Sequence, residues 1–147
     1  MAITTITDLK ADIRTASIGN FNTFHFGYLG EINSYRASSS YPLLMLLPPE
    51  SNIADVYKGD ETYTLVFHCY TFNAEALDNS QDGLVQTYDQ LMDFFSSFMN
   101  TLLRNNESKY VLGGSMNIER VSREFNDNLV GLVITIPLKS YTKCFNY

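Results

Sequence analysis

Two histidines, two cysteines and a scatter of carboxylates are the side chains here that bear on catalysis or ligation. His25 lies in "TFHFG" and His68 in "VFHCY", with Cys69 beside it and Cys144 far away near the carboxyl end. Imidazole next to thiol is one route to a nucleophilic thiolate, and mixed imidazole and thiolate ligands make a common zinc set. The spacing favours neither. His68 and Cys69 are neighbours in an aromatic, strand-like run, where successive side chains point to opposite faces, so they do not make a nucleophile pair. No CxxC or HExxH occurs, and two histidines with two separated cysteines follow no zinc pattern. Each histidine is expected to be a hydrogen-bonded structural residue rather than a ligand or base. A disulfide between Cys69 and Cys144 is open to the chain but unneeded, and buried thiols in a reducing compartment are the expectation.

Gly113 and Gly114 in "YVLGGSMN" suggest an anion-binding turn, yet no GxxxxGK[ST] or GxGxxG is present and a strand follows rather than a helix. They read as a hinge or turn. Ser38 to Ser40 lack a G-x-S-x-G setting and read as linker. Asp60 and Glu61 fall in a turn and Asp89 and Asp93 on a polar helix face, where solvation accounts for them better than acid–base work. No enzyme, metal or cofactor is expected from these residues.

The elements that position these groups show in the periodicity. "TTITDLKADIRTAS" puts Ile6, Leu9, Ile13 and Ala16 at helical spacing, with Thr5 or Thr7 to cap the start and Gly19 past the end, which predicts an amphipathic helix over about 6 to 17. "FNTFHFGYLGEINSY" reads as a strand with Phe24, Phe26 and Tyr28 on one side and His25 and Gly27 on the other. "RASSS" is the flexible stretch, and "YPLLMLLPP" is a short apolar strand closed by prolines.

"DVYKGDETYTLVFHCYTF" predicts a hairpin, with a short strand near 53 to 58, the turn "KGDE", and a long strand over about 61 to 72. Tyr63, Leu65, Phe67 and Cys69 then face one way and Thr64, Val66, His68 and Tyr70 the other. Both faces carry apolar side chains, so a neighbouring subunit is a candidate cover for the second. From about 82 the period changes. Leu84, Tyr88, Leu91, Met92, Phe95, Phe98, Met99 and Leu102 form the apolar stripe of a long helix, with Gln86, Asp89, Gln90, Asp93, Ser97 and Asn100 opposite. Ser80 or Asp82 can cap it, and Arg104 suits its carboxyl end. "SMNIERV" is a strand with Met116 and Ile118 on one face, and "FNDN" is a turn. "LVGLVITIPL" is a strand with Val130, Leu132, Ile134, Ile136 and Leu138 toward the core. Gly131 admits a close ring or backbone or marks a bulge, and Pro137 should lie near a strand end or an edge.

At 147 residues, 45% hydrophobic with ten Tyr and ten Phe, the chain is expected to fold as one α+β domain over 1–147. The expected architecture is an antiparallel or mixed sheet packed on the long helix and the amino-terminal helix. The first residues lack the pattern of a secretion signal and the longest apolar run, "LLMLL", is too short to span a bilayer, so a soluble protein made in a cytoplasm is expected. Net charge is −6, and between Glu50 and Asp93 nine carboxylates face Lys58 alone, a local balance of −8 that leaves the remainder about +2. That asymmetry suits acidic surface meeting basic surface between copies or partners and disfavours a grip on nucleic acid. For any one carboxylate, a solvated surface position is the simpler account.

Taken together, the amino-terminal helix, "HFGYLGEI", "YPLLMLLPP", the long strand, the long helix and the terminal "DNLVGLVITIPL" resemble, as an order of elements, the tail-terminator and tail-completion (neck ring) proteins of tailed bacteriophages. The resemblance implies a virion protein, homo-oligomeric in a ring between the portal-connector and the other tail proteins, with DNA passing through unbound. Asp60, Glu61, Asp89 and Asp93 would line an acidic lumen that repels phosphate. Arg36 and Tyr41, with Tyr141, Phe145 and Tyr147 in the tail "SYTKCFNY", would contact adjoining rings. An ordinary surface loop and a tail packed on its own domain are equal alternatives for those residues. The competing function is a small oligomeric module in which strands 61–72 and 21–29 enclose an apolar ligand, and third is an enzyme with His68 or His25 as base.

Overall fold

The computed structural model describes residues 5–28, 41–52, 61–72, 81–124 and 129–140. Two helices lie on a mixed sheet of seven strands among these residues, an α+β architecture. Helix α1 spans Ile6–Ser17 and opens with a reciprocal cap: the Thr5 hydroxyl accepts the Asp8 N–H at 3.1 Å while the Thr5 N–H donates to the Asp8 carboxylate at 3.3 Å. Its buried stripe is Leu9, Ile13 and Ala16. The chain leaves the helix through Gly19, whose φ of 90° is one that side-chain-bearing residues rarely adopt.

Strand β1 is Thr23–Phe26, β2 Leu43–Leu46, β3 Glu50–Asn52 and β4 Glu61–Phe72; helix α2 follows over Gln81–Asn105, then β5 Tyr110–Leu112, β6 Asn117–Glu124 and β7 Leu129–Ser140. The centre of the sheet is the antiparallel pair β4 and β7, in register along their whole length from Glu61↔Ser140 to Phe72↔Leu129. At one end β2 flanks β4 and β6 flanks β7; at the other end β3 flanks β4 and β5 flanks β7. Outermost is β1, parallel to β2, which makes the sheet mixed. The Tyr41–Pro42 peptide ahead of β2 is cis, and Asn22 ties β1 to it through its N–H to the Pro42 carbonyl at 2.9 Å and its side-chain amide to the Tyr41 carbonyl at 2.7 Å.

Both helices cover one face. The alternation expected for β4 holds, with Tyr63, Leu65, Phe67 and Cys69 in the core under the helices, beside Leu132, Ile134, Ile136 and Leu138 of β7. The stripe of α2 supplies Leu91, Phe95, Phe98, Met99 and Leu102. Phe67 meets Phe95 and Phe98 edge-on at centroid distances of 5.4 and 5.5 Å, a geometry that adds about 0.5–1.5 kcal/mol per pair beyond burial.

Two expectations are corrected. A short strand, Glu50–Asn52, pairs with β4; the strand expected near 53 to 58 lies outside the described residues, as does the expected turn 125–128. Pro137 is not at a strand end or outer edge but inside the central strand β7, opposite Thr64. Its carbonyl accepts the Gly113 N–H at 2.9 Å, and in an antiparallel ladder both backbone groups of a residue face the same neighbour. The missing N–H therefore points to where β5 has ended and β6 has not begun, a place with no ladder partner to disappoint. Gly113 and Gly114 make that crossing, and Pro137 atoms would sit 3.6 and 3.4 Å from Cβ atoms built on them.

The second correction concerns the other sheet face. Tyr70 is 1% exposed and packs with the equally buried Leu43 and Met45, flanked by Tyr41, Leu47 and Val121. The chain itself covers this end of the face, and no sister molecule is needed there. Thr64 remains exposed and Val66 half-buried at the other end. Gly131 does admit a ring, since a Cβ on it would lie 2.5 Å from Tyr70 Cδ1.

Candidate functional site

Of the four carboxylates expected on an acidic wall, the three that are described do not stay together. Asp89 and Asp93 project from the outer face of α2, where Gln86, Gln90, Ser97 and Asn100 are also exposed. Stripe and wall are two sides of one helix, because burying residues at spacings of three and four leaves the intervening positions outward. From Gln86 to Asn100 that helix carries no cation, so the outward field is purely acidic. Glu61 is only 7% exposed and is removed from the wall. It opens β4 on the same face as Tyr63, and the Tyr63 hydroxyl donates to its carboxylate. Asp60 lies outside the described residues.

Glu61 belongs to a set of acid–phenol contacts under α1. Tyr110 Oη donates to Asp12 Oδ2 at 2.7 Å, and Lys109 Nζ reaches the same oxygen at 3.3 Å. Burial pushes the Tyr110 phenol well above its ordinary value, reinforced by the Asp12 hydrogen bond and by the charges of Asp12 and Asp8. Tyr63 is raised in the same way, first by burial and then by its bond to Glu61. Both phenols are thus fixed donors at neutral pH. A nucleophilic or basic phenolate needs the opposite shift. Among the described residues no cluster of three or more His, Cys, Asp or Glu is arranged to hold a metal.

His68 is hydrogen-bonded, as expected. It is buried, with Nδ1 2.9 Å from the Tyr70 hydroxyl, and burial lowers its pKa below the ordinary 6.5. The ring is therefore neutral, and its tautomer sets whether Nδ1 accepts from the Tyr70 hydroxyl or donates to it. His25 is lowered by burial and by Arg14. Cys69 is a free thiol, fully buried in the core, and burial raises its pKa so that the reactive thiolate is suppressed. Cys144 lies outside the described residues.

Of the expected interface residues, Arg36, Tyr141, Phe145 and Tyr147 fall outside the described set, and Tyr41 is half-buried against Leu43, Met45 and Tyr70 rather than projecting. Strand β2 lies between β1 and β4 in the sheet, and Phe24 and Phe26 pack toward the core and α1. Arg14 and Lys10 sit over those two rings at 5.5 and 5.1 Å.

One concave feature escaped the sequence reading. An open groove of about 420 Å³ lies at the carboxyl end of α2, lined by Leu103, Arg104, Glu107, Tyr110, Val111 and Leu112. The turn from α2 into β5 shapes it, with Lys109 N–H and Tyr110 N–H both donating to the Asn106 carbonyl at 2.9 and 3.1 Å. The available signal was "YVL", an apolar triplet between a helix end and two glycines, too short to show a strand period. No protein-family model matches the chain, and no curated protein is significantly similar to it.

Proposed function

We propose that this chain is a structural virion protein of a tailed bacteriophage, of the tail-terminator or tail-completion kind. Its copies form a neck or tail ring that joins the portal-connector to tail proteins, and DNA passes through an acidic lumen without being held. The observation that carries this reading is the outer face of α2, where Asp89 and Asp93 are the only charges from Gln86 to Asn100 and all six polar positions of that face are exposed. A wall of that sign repels phosphate and leaves a duplex free to slide, whereas a nucleic-acid clamp needs cations there. The groups with catalytic potential support the same reading. Cys69, Tyr63 and Tyr110 are each buried and held protonated, the state least suited to nucleophilic work, and the buried His68 is bonded to Tyr70.

Size in solution tests the proposal. Sedimentation of the purified chain, alone and with purified portal-connector, should give a multimer well above the 16.7 kDa protomer, and ring-shaped particles by electron microscopy. A single protomer at every concentration, alone and in the mixture, would overturn it.

A further inference from the structure

Val111 and Leu112 of β5 are 39% and 41% exposed, and both border the groove at the carboxyl end of α2. Its volume of about 420 Å³ lies near the lower bound of the roughly 300–1,000 Å³ in which small ligands are held, room for a few side chains rather than for a folded partner. The rim is mixed in charge, with Arg104 and Glu107 both lining it, so it selects no strongly charged occupant. An apolar floor with an exposed guanidinium at its edge favours aromatic rings, which bury area and stack against the cation. The fold uses that contact twice elsewhere, with Lys10 over Phe26 and Arg14 over Phe24.

The register of the sheet brings such rings to the same place. Strand β7 ends at Ser140, which is paired with Tyr110, a residue of the groove wall. The chain therefore leaves the sheet beside the groove, and the stretch that follows, "YTKCFNY", holds Tyr141, Phe145 and Tyr147 with Lys143 as its one charged side chain. Extended, that stretch reaches about 23 Å, against about 10 Å for the length of β5.

We infer that the groove is the seat of this chain's own residues 141–147, whose aromatic rings cover Val111 and Leu112 and stack against Arg104. Tethering at Ser140 makes the contact intramolecular, at an effective concentration in the millimolar range, so a modest interaction holds it. No second copy is required, and the contact is independent of whether copies assemble into a ring.

The full chain carries its own probe. Cys144 lies in the segment, whereas Cys69 is buried in the core and its thiol is inert. In Leu112→Cys, mild air oxidation should join position 112 to Cys144 within one chain, read as a monomer of altered mobility on a non-reducing gel and as one linked peptide by mass spectrometry. Val85→Cys, at another exposed apolar position about 27 Å along α2 from Leu103, should not link. Replacing Tyr141, Phe145 and Tyr147 by Ser in the Leu112→Cys chain should slow the bridge about tenfold or more, because the anchors are lost. Val111→Cys repeats the measurement if Leu112→Cys does not fold. A bridge that forms equally fast without the rings would reflect chance collisions of a tethered segment and would overturn the inference. Equal linking of Val85→Cys, or no link at either groove position, would do the same. A covalent dimer as the main product would also overturn it, by assigning the segment to a neighbouring copy.

Discussion

Gly131 and Tyr70 show how one missing methyl sets the second face of the sheet. They are cross-strand partners, and a Cβ at 131 would meet Tyr70 Cδ1 at 2.5 Å, Cε1 at 2.6 Å and the Cys69 carbonyl at 2.8 Å. Gly131→Ala should therefore cost about 1–3 kcal/mol in urea denaturation. Adding Tyr70→Leu should recover part of that loss, and strictly additive losses would show that the ring contact is not the cause. His68, bonded to the same Tyr70, gives a pH dependence. Its folded pKa lies below the unfolded 6.5, so the unfolded state binds more protons between those two values. The associated stability is present above pH 6.5 and is lost as pH falls through that window. His68→Gln keeps a polar partner for Tyr70 without titrating, and denaturation midpoints at pH 7.5 and 5 should show a smaller acid loss in the variant than in the unaltered chain. Equal losses would assign the acid sensitivity to other groups.

At the scale of elements, α1 is joined to the β5 end of the sheet by Asp12, which holds Tyr110 and Lys109 through one oxygen. Tyr110→Phe removes a buried, charge-assisted donor and should destabilise by about 1–2 kcal/mol. Lys109→Ala should cost less than about 1 kcal/mol, because the Lys109 side chain is 42% exposed. Chemical denaturation of the two variants side by side checks the order, and equal effects would refute it. The same elements explain what was legible beforehand. Helices α1 and α2 and strands β4 and β7 are long enough for their apolar period to repeat, so their bounds and buried faces could be read from Leu9, Ile13, Phe95, Phe98, Leu65 and Ile134. Strand β5 has three residues and no period, so the groove beside it stayed hidden. Pro137 was placed at an edge because its sequence shows a missing donor but not that β5 and β6 part beside it. Glu61 was taken for a turn carboxylate although the strand was read to begin at about 61, because alternation alone does not show that the Tyr63 hydroxyl on the same face donates to it.

For the whole molecule, charge is the quantity to alter. Replacing Asp89 and Asp93 by Lys changes the outer field of α2 without touching its buried stripe, so fold and thermal stability should stay within about 0.5 kcal/mol of the unaltered chain. In assembled particles the reversal should slow DNA passage and make it dependent on salt. Delivery that is indifferent to the reversal would exclude the acidic lumen even for a confirmed ring.

Helix α1 reaches both flanks of the sheet. Lys10 and Arg14 rest on the phenyl rings of β1, and Asp12 between them in sequence grips the start of β5. Twelve residues thus act as a strut across the sheet. A pull on one flank cannot be absorbed locally, since splaying the outer strands must lift the cations off their rings or break the hold of Asp12. In the proposed ring, tension arriving from one neighbour would be handed to the next, and a closed circle of such units would resist being opened at any single joint.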